Sequence, residues 1–221
     1  MGTLSVVATP IGNLEDITLR ALRTLRECDV IYAEDTRVIS KLLARYEIKK
    51  PLQRLDAATE IKKADEIIAR LEAGERVVFV SDAGTPGISD PGSRLVARAR
   101  EAGARIDAIP GASALTAALS IAGLDTTEFT FLGFLPHKKG RQTTLKKVAA
   151  SDMPVVLYES PHRILKLLKE LETLSASRVV IARELTKIHE EVVSGTPSEM
   201  LTHFDAHPDT VRGEFVVIVL P

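Results

Sequence analysis

The run Val77-Val78-Phe79-Val80 empties directly into Ser81-Asp82-Ala83-Gly84-Thr85-Pro86-Gly87-Ile88-Ser89-Asp90-Pro91-Gly92. This junction constrains the fold more than any other stretch. Four consecutive apolar residues, three of them valine, read as a strand buried on both faces. The segment after it holds three glycines, two prolines and two aspartates. A helix is expected next, with Asp90 as its N-cap and Pro91 as its first residue. Open α/β sheets hold ligands at the C-terminal ends of their strands. Glycine lets a ligand come close to the main chain, and proline fixes the shape of the loop. Taken alone, the loop also fits an ordinary βα connection. It is not alone: Thr9-Pro10-Ile11-Gly12-Asn13, Ala33-Glu34-Asp35-Thr36-Arg37, Pro110-Gly111-Ala112-Ser113-Ala114 and Tyr158-Glu159-Ser160-Pro161-His162-Arg163 each follow a predicted strand.

Strand and helix alternate through the first part of the chain. Strands are expected near 4–8, 29–33, 76–81 and 106–109, with a short extended piece near 51–55. Helices are expected near 16–27, 37–46, 60–73, 91–102 and 113–122. Helix 60–73 carries Ile61, Ala64, Ile68 and Leu71 on one stripe, with Lys and Glu opposite. Such alternation points to a mostly parallel sheet covered on both faces. From about Leu124 the pattern changes. Strands are expected at 129–133, 154–159, 178–182, 189–195 and 213–220, a spacing that suits a mixed sheet. Helix 161–172 has Ser160 as cap, Pro161 first, and Ile164, Leu167, Leu168 and Leu171 inward. Helix 197–206 opens with the capping box Thr196…Glu199. The fold class is therefore α/β, with a subdomain at 1–123, a second at 124–221, and a ligand cleft expected between them.

A formal net charge of −1 and 45% apolar residues describe a soluble globular chain. Nucleic-acid binding must then rest on local clusters. With no Trp and 4% aromatic residues, base stacking on an aromatic platform is a poor main binding mode. No run of about 18 apolar residues exists, so no membrane span is expected. The chain enters its first strand at Leu4 without a basic leader, and the single Cys28 suits a reducing compartment; a cytoplasmic location is expected. Neither a P-loop nor a G-x-G-x-x-G turn after the first strand is present. No Cys/His cluster has metal-ligand spacing, so no metal is expected.

The segments LSVVATPIGNLEDITLRAL, AEDTR, VSDAGTPGISDPG, PGASALTAAL, FLGFLP, YESPHR and ARELTK occur in this order between Leu4 and Leu220. Together they resemble the ribosomal RNA small subunit methyltransferase I family of tetrapyrrole-methylase-like, class III methyltransferases. The resemblance implies S-adenosyl-L-methionine as cofactor. It implies 2′-O-methylation of a cytidine ribose in the decoding region of bacterial 16S rRNA, within the small ribosomal subunit, and a homodimer. For the cofactor it implies contacts from Pro10, Asp82, Ala83, Gly84, Thr85, Pro86, Ser113, Ala114, Leu157, Tyr158, Arg183, Glu184, Gly213 and Glu214. Ser113 also reads as a helix cap, and Leu157 as a core residue.

A ribose hydroxyl is a weak nucleophile and gains from a nearby base. Glu34, Asp35 and Arg37 are the first catalytic candidates: a carboxylate for the hydroxyl and a guanidinium for a phosphate. The alternative is a helix start capped by Asp35 or Thr36, with Arg37 in an ion pair. Glu159, His162 and Arg163 form a second cluster, with His162 a base of suitable pKa or simply a structural residue. Glu184 and Lys187 form a third. The stretch 136–147 carries Lys138, Lys139, Arg141, Lys146 and Lys147 and no acid, an RNA-binding candidate together with Arg163. Arg20, Arg23 and Arg26 make a second basic stripe. Two other readings fit the same loops: a class III methyltransferase acting on a tetrapyrrole or other small molecule, and a non-catalytic RNA-binding assembly factor.

Overall fold

A computed structural model describes residues 1–221, which divide into two compact units, Met1–Ser113 and Ala114–Pro221. The first unit runs β1 (Thr3–Val7), α1 (Leu19–Glu27), β2 (Val30–Ala33), α2 (Thr36–Arg45), β3 (Leu52–Arg54), α3 (Glu60–Glu72), β4 (Arg76–Val80), α4 (Ser93–Glu101) and β5 (Arg105–Ile109). Its strands pair in the order β3-β2-β4-β1-β5, all parallel. The period of two decides which helix covers which face. Val77 and Phe79 point with Leu4, Val30 and Tyr32 toward Ile67 and Leu71 of α3 and Leu95 and Ala99 of α4. Val78 and Val80 point the other way with Val7 and Ile31, toward Leu22 and Leu25 of α1 and Ile39 and Leu42 of α2. Each such Val, Leu, Ile or Phe side chain, fully buried, contributes about 1.5–3 kcal/mol.

Neighbouring strands β1 and β4 thus send their chains to opposite faces: β1 leads to α1 on one, β4 to α4 on the other. That divergence is a topological switch point, where open sheets form a crevice. Because every strand runs the same way, the loops after β1, β2, β4 and β5 all lie on one edge.

Several helix boundaries differ from the sequence expectation. Helix α4 starts at Ser93 with Gly92 as N-cap, not at Pro91 capped by Asp90. The buried Glu60 carboxylate supplies the cap from a distance: its Oε1 accepts from Gly92 N at 3.1 Å and Leu95 N at 3.0 Å. Gly92 has φ of +124°, and a Cβ there would overlap the Phe79 ring. In α3 the buried face is Glu60, Ala64, Ile67 and Leu71, while Ile61 is 64% exposed. The apolar stripe is therefore rotated from the expected one. Cys28 is a core residue whose thiol donates to Leu25 O, and burial pushes its pKa up to about 11.

The second unit runs α5 (Ala114–Ile121), β6 (Thr130–Phe134), α6 (Arg141–Ala149), β7 (Val155–Glu159), α7 (Ile164–Thr173), β8 (Arg178–Arg183), β9 (Glu191–Gly195), α8 (Pro197–Ala206) and β10 (Phe215–Leu220). Its sheet, β6-β7-β10-β8-β9, pairs β6 and β7 in parallel and the rest antiparallel. Helices α6, α7 and α8 close one face over Val155, Leu157, Val179, Ile181, Phe215 and Val217. Helix α5 packs on β10. It therefore belongs with this unit, and the division falls at 113/114 rather than at 123/124. Helix α6, absent from the expected elements, begins in the basic stretch and runs past its end. Helix α7 begins at Ile164 after a turn, so Ser160 and Pro161 precede the helix rather than open it. The capping box of α8 is present as expected.

Gly92→Ala is expected to lose about 2–5 kcal/mol, from positive-φ strain plus overlap with Phe79. Glu60→Ala is expected to lose about 2–4 kcal/mol, because two buried amides lose their acceptor. Urea unfolding of both variants checks this; a loss below about 1 kcal/mol in both would contradict the capping role.

Candidate active site

The switch-point loops of the first unit are tied by main-chain bonds. Thr9 N donates to Gly84 O at 2.9 Å, and Gly84 N to Thr9 O at 3.0 Å, a two-bond antiparallel bridge. Thr9 Oγ1 donates to Ser81 O at 3.3 Å. Gly84 makes the bridge with φ of +75°, a conformation costly for other residues. Pro10, next to the bridge, is buried, as are Ser81, Gly84 and Pro86, while Asp82 and Ala83 are exposed. The loop thus turns two residues outward from a fixed base. Thr85 Oγ1 reaches Ala112 O at 3.5 Å, next to Ser113. Asp82 Oδ1 accepts from Asp35 N at 2.9 Å and joins the β2 loop to the group.

Asp35 is the N-cap of α2, accepting from Arg37 N at 2.9 Å. Its carboxylate also accepts from Arg37 Nε at 3.0 and 3.1 Å. The Arg37 guanidinium, together with the Arg37 amide, holds the Asp35 carboxyl at about 2. A carboxylate so committed is a poor proton acceptor, so Asp35 positions Arg37 and caps a helix. Glu34 behaves oppositely. Its half-buried carboxyl is raised above the ordinary value, first by burial and then by the Asp82, Asp90 and Asp56 carboxylates, with an opposing hydrogen bond from the Asp82 amide.

In the second unit another set converges at one sheet edge, where β7 and β8 end and β10 begins. Phe215 pairs with Glu159 on one side and Arg183 on the other. Glu184, at φ of +47°, accepts from Glu214 N at 3.2 Å and from Lys187 Nζ at 2.7 Å. Glu184 N donates to Glu214 O at 3.1 Å. Burial alone would raise the Glu184 carboxyl, but the Lys187 ammonium and the Glu214 amide outweigh it and the net shift is downward. A Cβ on Gly213, which has φ of +81°, would run into the Glu184 carboxylate. Tyr158 is half-buried, and its hydroxyl accepts from Leu115 N at 3.1 Å, one residue beyond Ala114.

The sequence matches the family described as Tetrapyrrole (Corrin/Porphyrin) Methylases over residues 3–201. It is 46% identical over 220 residues to Ribosomal RNA small subunit methyltransferase I of Thermotoga maritima, covering 99% of this chain and 98% of that protein. The chain belongs to the ribosomal RNA small subunit methyltransferase I family. Among solved structures it is similar to diphthine synthase, with a TM-score of 0.80 at 19% identity over 99% of this chain and 90% of that one. It is also similar to a Thermus thermophilus uroporphyrin-III C-methyltransferase complexed with S-adenosylhomocysteine, with a TM-score of 0.67 at 19% identity over 99% and 97% of the two chains. The tetrapyrrole-methylase fold expected from the motifs is thus the fold observed.

Four residues singled out from sequence take other roles. Leu157 is fully buried and laddered to both Val217 and Gly133, so its side chain and main chain are committed to the core sheet. Glu159 is not a catalytic acid: it is 1% exposed, accepts from Ser160 N at 2.8 Å and pairs with Arg163 Nε at 2.6 Å. Arg141 is not an RNA contact. It is 3% exposed and clamped on Glu170 at 2.7 Å, with Glu159 at 3.8 Å. Arg163 is largely covered by the same network, donating also to Leu135 O at 3.3 Å. Lys138, Lys139, Lys146, Lys147 and His162 remain exposed. The Arg183 guanidinium is held by Glu191 at 2.6 Å, leaving its main chain at the edge. Sequence reasoning passed over Thr9 and Leu115, whose contributions are main-chain bonds that no side-chain pattern marks.

Gly213→Ala is expected to cost about 1–3 kcal/mol, from positive φ and displacement of Glu184. Glu184→Ala in the same chain removes the overlap, so the double variant should lose less than the sum of the singles. Chemical denaturation of the full cycle measures this; strict additivity would show that the two residues do not meet.

Proposed function

We propose that the protein is an S-adenosyl-L-methionine-dependent methyltransferase that methylates the ribose 2′-hydroxyl of a cytidine in the decoding region of 16S rRNA, as part of the small ribosomal subunit, in the cytoplasm. Full-length kinship to a ribosomal RNA methyltransferase supports the substrate class. The observation that carries the chemistry is Glu34, a half-buried carboxyl of raised pKa beside the bridged loop at the switch point. No helix is long and apolar enough to cross a membrane.

The first unit's edge fits the cofactor. The donor carries a sulfonium and an ammonium, and the Asp82, Asp90 and Asp56 carboxylates make that edge acidic. The outward Asp82 and Ala83 and the residues Gly84, Thr85 and Pro86 offer main chain at a fixed position, with Pro10 behind the bridge and Ser113 beside Ala112. In the second unit Ala114, Tyr158, Arg183, Glu184, Gly213 and Glu214 are the proposed contacts. When bound, the cofactor supplies a methyl group already activated for transfer. The protein's work is then orientation and proton management. Glu34 accepts the proton of the ribose hydroxyl, and exposed His162 is the alternative base. Asp35 keeps the α2 start and the Arg37 fork in place, so that Arg37 can take a phosphate oxygen. Exposed Lys138, Lys139, Lys146 and Lys147 supply further phosphate contacts. That basic surface favours RNA over a tetrapyrrole acceptor.

A base must be ionised to accept a proton. The methylation rate on small ribosomal subunits should therefore rise with pH through the elevated Glu34 pKa and level off above it. Glu34→Gln should remove that limb and lower kcat by about 10²–10⁴ while leaving cofactor affinity by calorimetry unchanged. A wild-type pH profile in Glu34→Gln would exclude Glu34 as the base, and unmethylated 16S rRNA at every pH with wild-type protein would exclude the activity.

A homodimer is also proposed. Phe129, Leu132 and Phe134, on and beside edge strand β6, are 36%, 42% and 54% exposed, an apolar margin suited to a second copy. Light scattering at micromolar concentration should give twice the chain mass, and Leu132→Glu should reduce it toward the monomer; a monomeric wild type contradicts the proposal.

A further inference from the structure

We infer that the open groove between α1 and the β1–β5 side of the first sheet is a docking track for the phosphodiester backbone of the RNA substrate. The inference rests on the RNA substrate proposed above and adds a binding surface to it. The groove has a volume of about 470 Å³, and Arg20 and Arg23 of α1, Arg76 of β4 and Arg105 of β5 line it. It exists because one face of the sheet turns polar there. Toward α1 the strand register sets Arg76, Thr3 and Arg105 in one row and Val78, Ser5 and Asp107 in the next. Parallel sheets are ordinarily apolar on both faces. The α1 stripe of Ala21, Leu22 and Leu25 covers only the apolar end, near Val7 and Ile109.

The charges facing the groove are four guanidiniums against the Glu27 and Asp107 carboxylates. Arg105 holds Asp107 at 3.0 Å, and Arg76 lies 3.8 Å from Asp29 just outside. Arg20 Nη2 donates to Ala108 O at 2.8 Å, which pins that guanidinium along β5. The Arg23 guanidinium is exposed and has no protein partner. Arg26 turns away, to Tyr46 O. Guanidinium forks match phosphate oxygens in pairs. No aromatic ring lines the groove, so bases have nothing to stack on, and the track fits backbone rather than base contact. Its lining reaches Ala108 and Ile109, and the chain continues from there into the Pro110–Ser113 loop at the candidate active edge. An RNA strand in the groove would therefore run toward the carboxyl that is to receive its proton.

Arg23 is the decisive position because removing it breaks no internal bond. Filter binding of Arg23→Ala and Arg23→Glu to small ribosomal subunits across a KCl series should show Kd raised about three- to tenfold. The slope of log Kd against log salt should fall by about 1. Arg23→Lys should keep the slope. Cofactor calorimetry should be unchanged in all three, and Lys62→Ala, on α3 at the opposite face, should bind RNA as the wild type does. Wild-type Kd and slope in Arg23→Glu would overturn the inference and leave the groove to some other partner. Failure of the wild type to methylate 16S rRNA would overturn the proposed function instead, with the Arg23-dependent RNA affinity still measurable on its own.

Discussion

The first unit's candidate site depends on the pair of hydrogen bonds between Thr9 and Gly84. Strands β1 and β4 are neighbours, yet their chains leave for opposite faces of the sheet. Without a tie, the two loops would part at the place where a ligand needs a wall. The bridge closes that gap with main-chain groups alone, at the cost of a left-handed residue that glycine supplies readily. Other ties extend from it: Asp82 takes the Asp35 amide, and Thr85 reaches Ala112. Four connections from four strands are thereby fixed relative to one another before any ligand arrives, and such preorganisation lowers the cost of binding.

The second unit is organised around buried charge instead. Arg141, Glu159, Glu170 and Arg163 form one network under the α6–α7 corner. A buried ion pair adds little net stability, but loss of either partner leaves an uncompensated charge, at a cost of about 3–5 kcal/mol. Its service here is geometric. It joins the start of α6 to the end of β7 and the middle of α7, and so fixes the base of the turn that exposes Lys138 and Lys139.

Apart from α6, the order of strands and helices was legible because hydrophobic period is a local property. Val77–Val80 and the Leu167, Leu168, Leu171 stripe announce their burial by spacing alone. The gathering of loops on one edge was legible too, since a parallel sheet leaves them no other place. What could not be read depends on partners distant in sequence. Arg141 and Lys139 are two residues apart and both cationic, and it is Glu170, 29 positions beyond Arg141, together with Glu159 that decides which is buried. Glu60 sits at the front of an amphipathic helix, and its role as cap of α4 exists only once the sheet brings Gly92 near. The choice between Glu34 and Asp35 likewise turned on Arg37 folding back onto one carboxylate and not the other.

Cys28 carries the chain's single sulfhydryl. It is 1% exposed and stays protonated with a pKa of about 11, so almost no thiolate is present at neutral pH and the sulfur presents almost no surface to an electrophile. The native protein is therefore silent toward maleimides and mild oxidants. A cysteine engineered at any exposed position would be its sole reactive handle, and a fluorophore or spin label could be attached at one chosen point without first mutating the parent sequence.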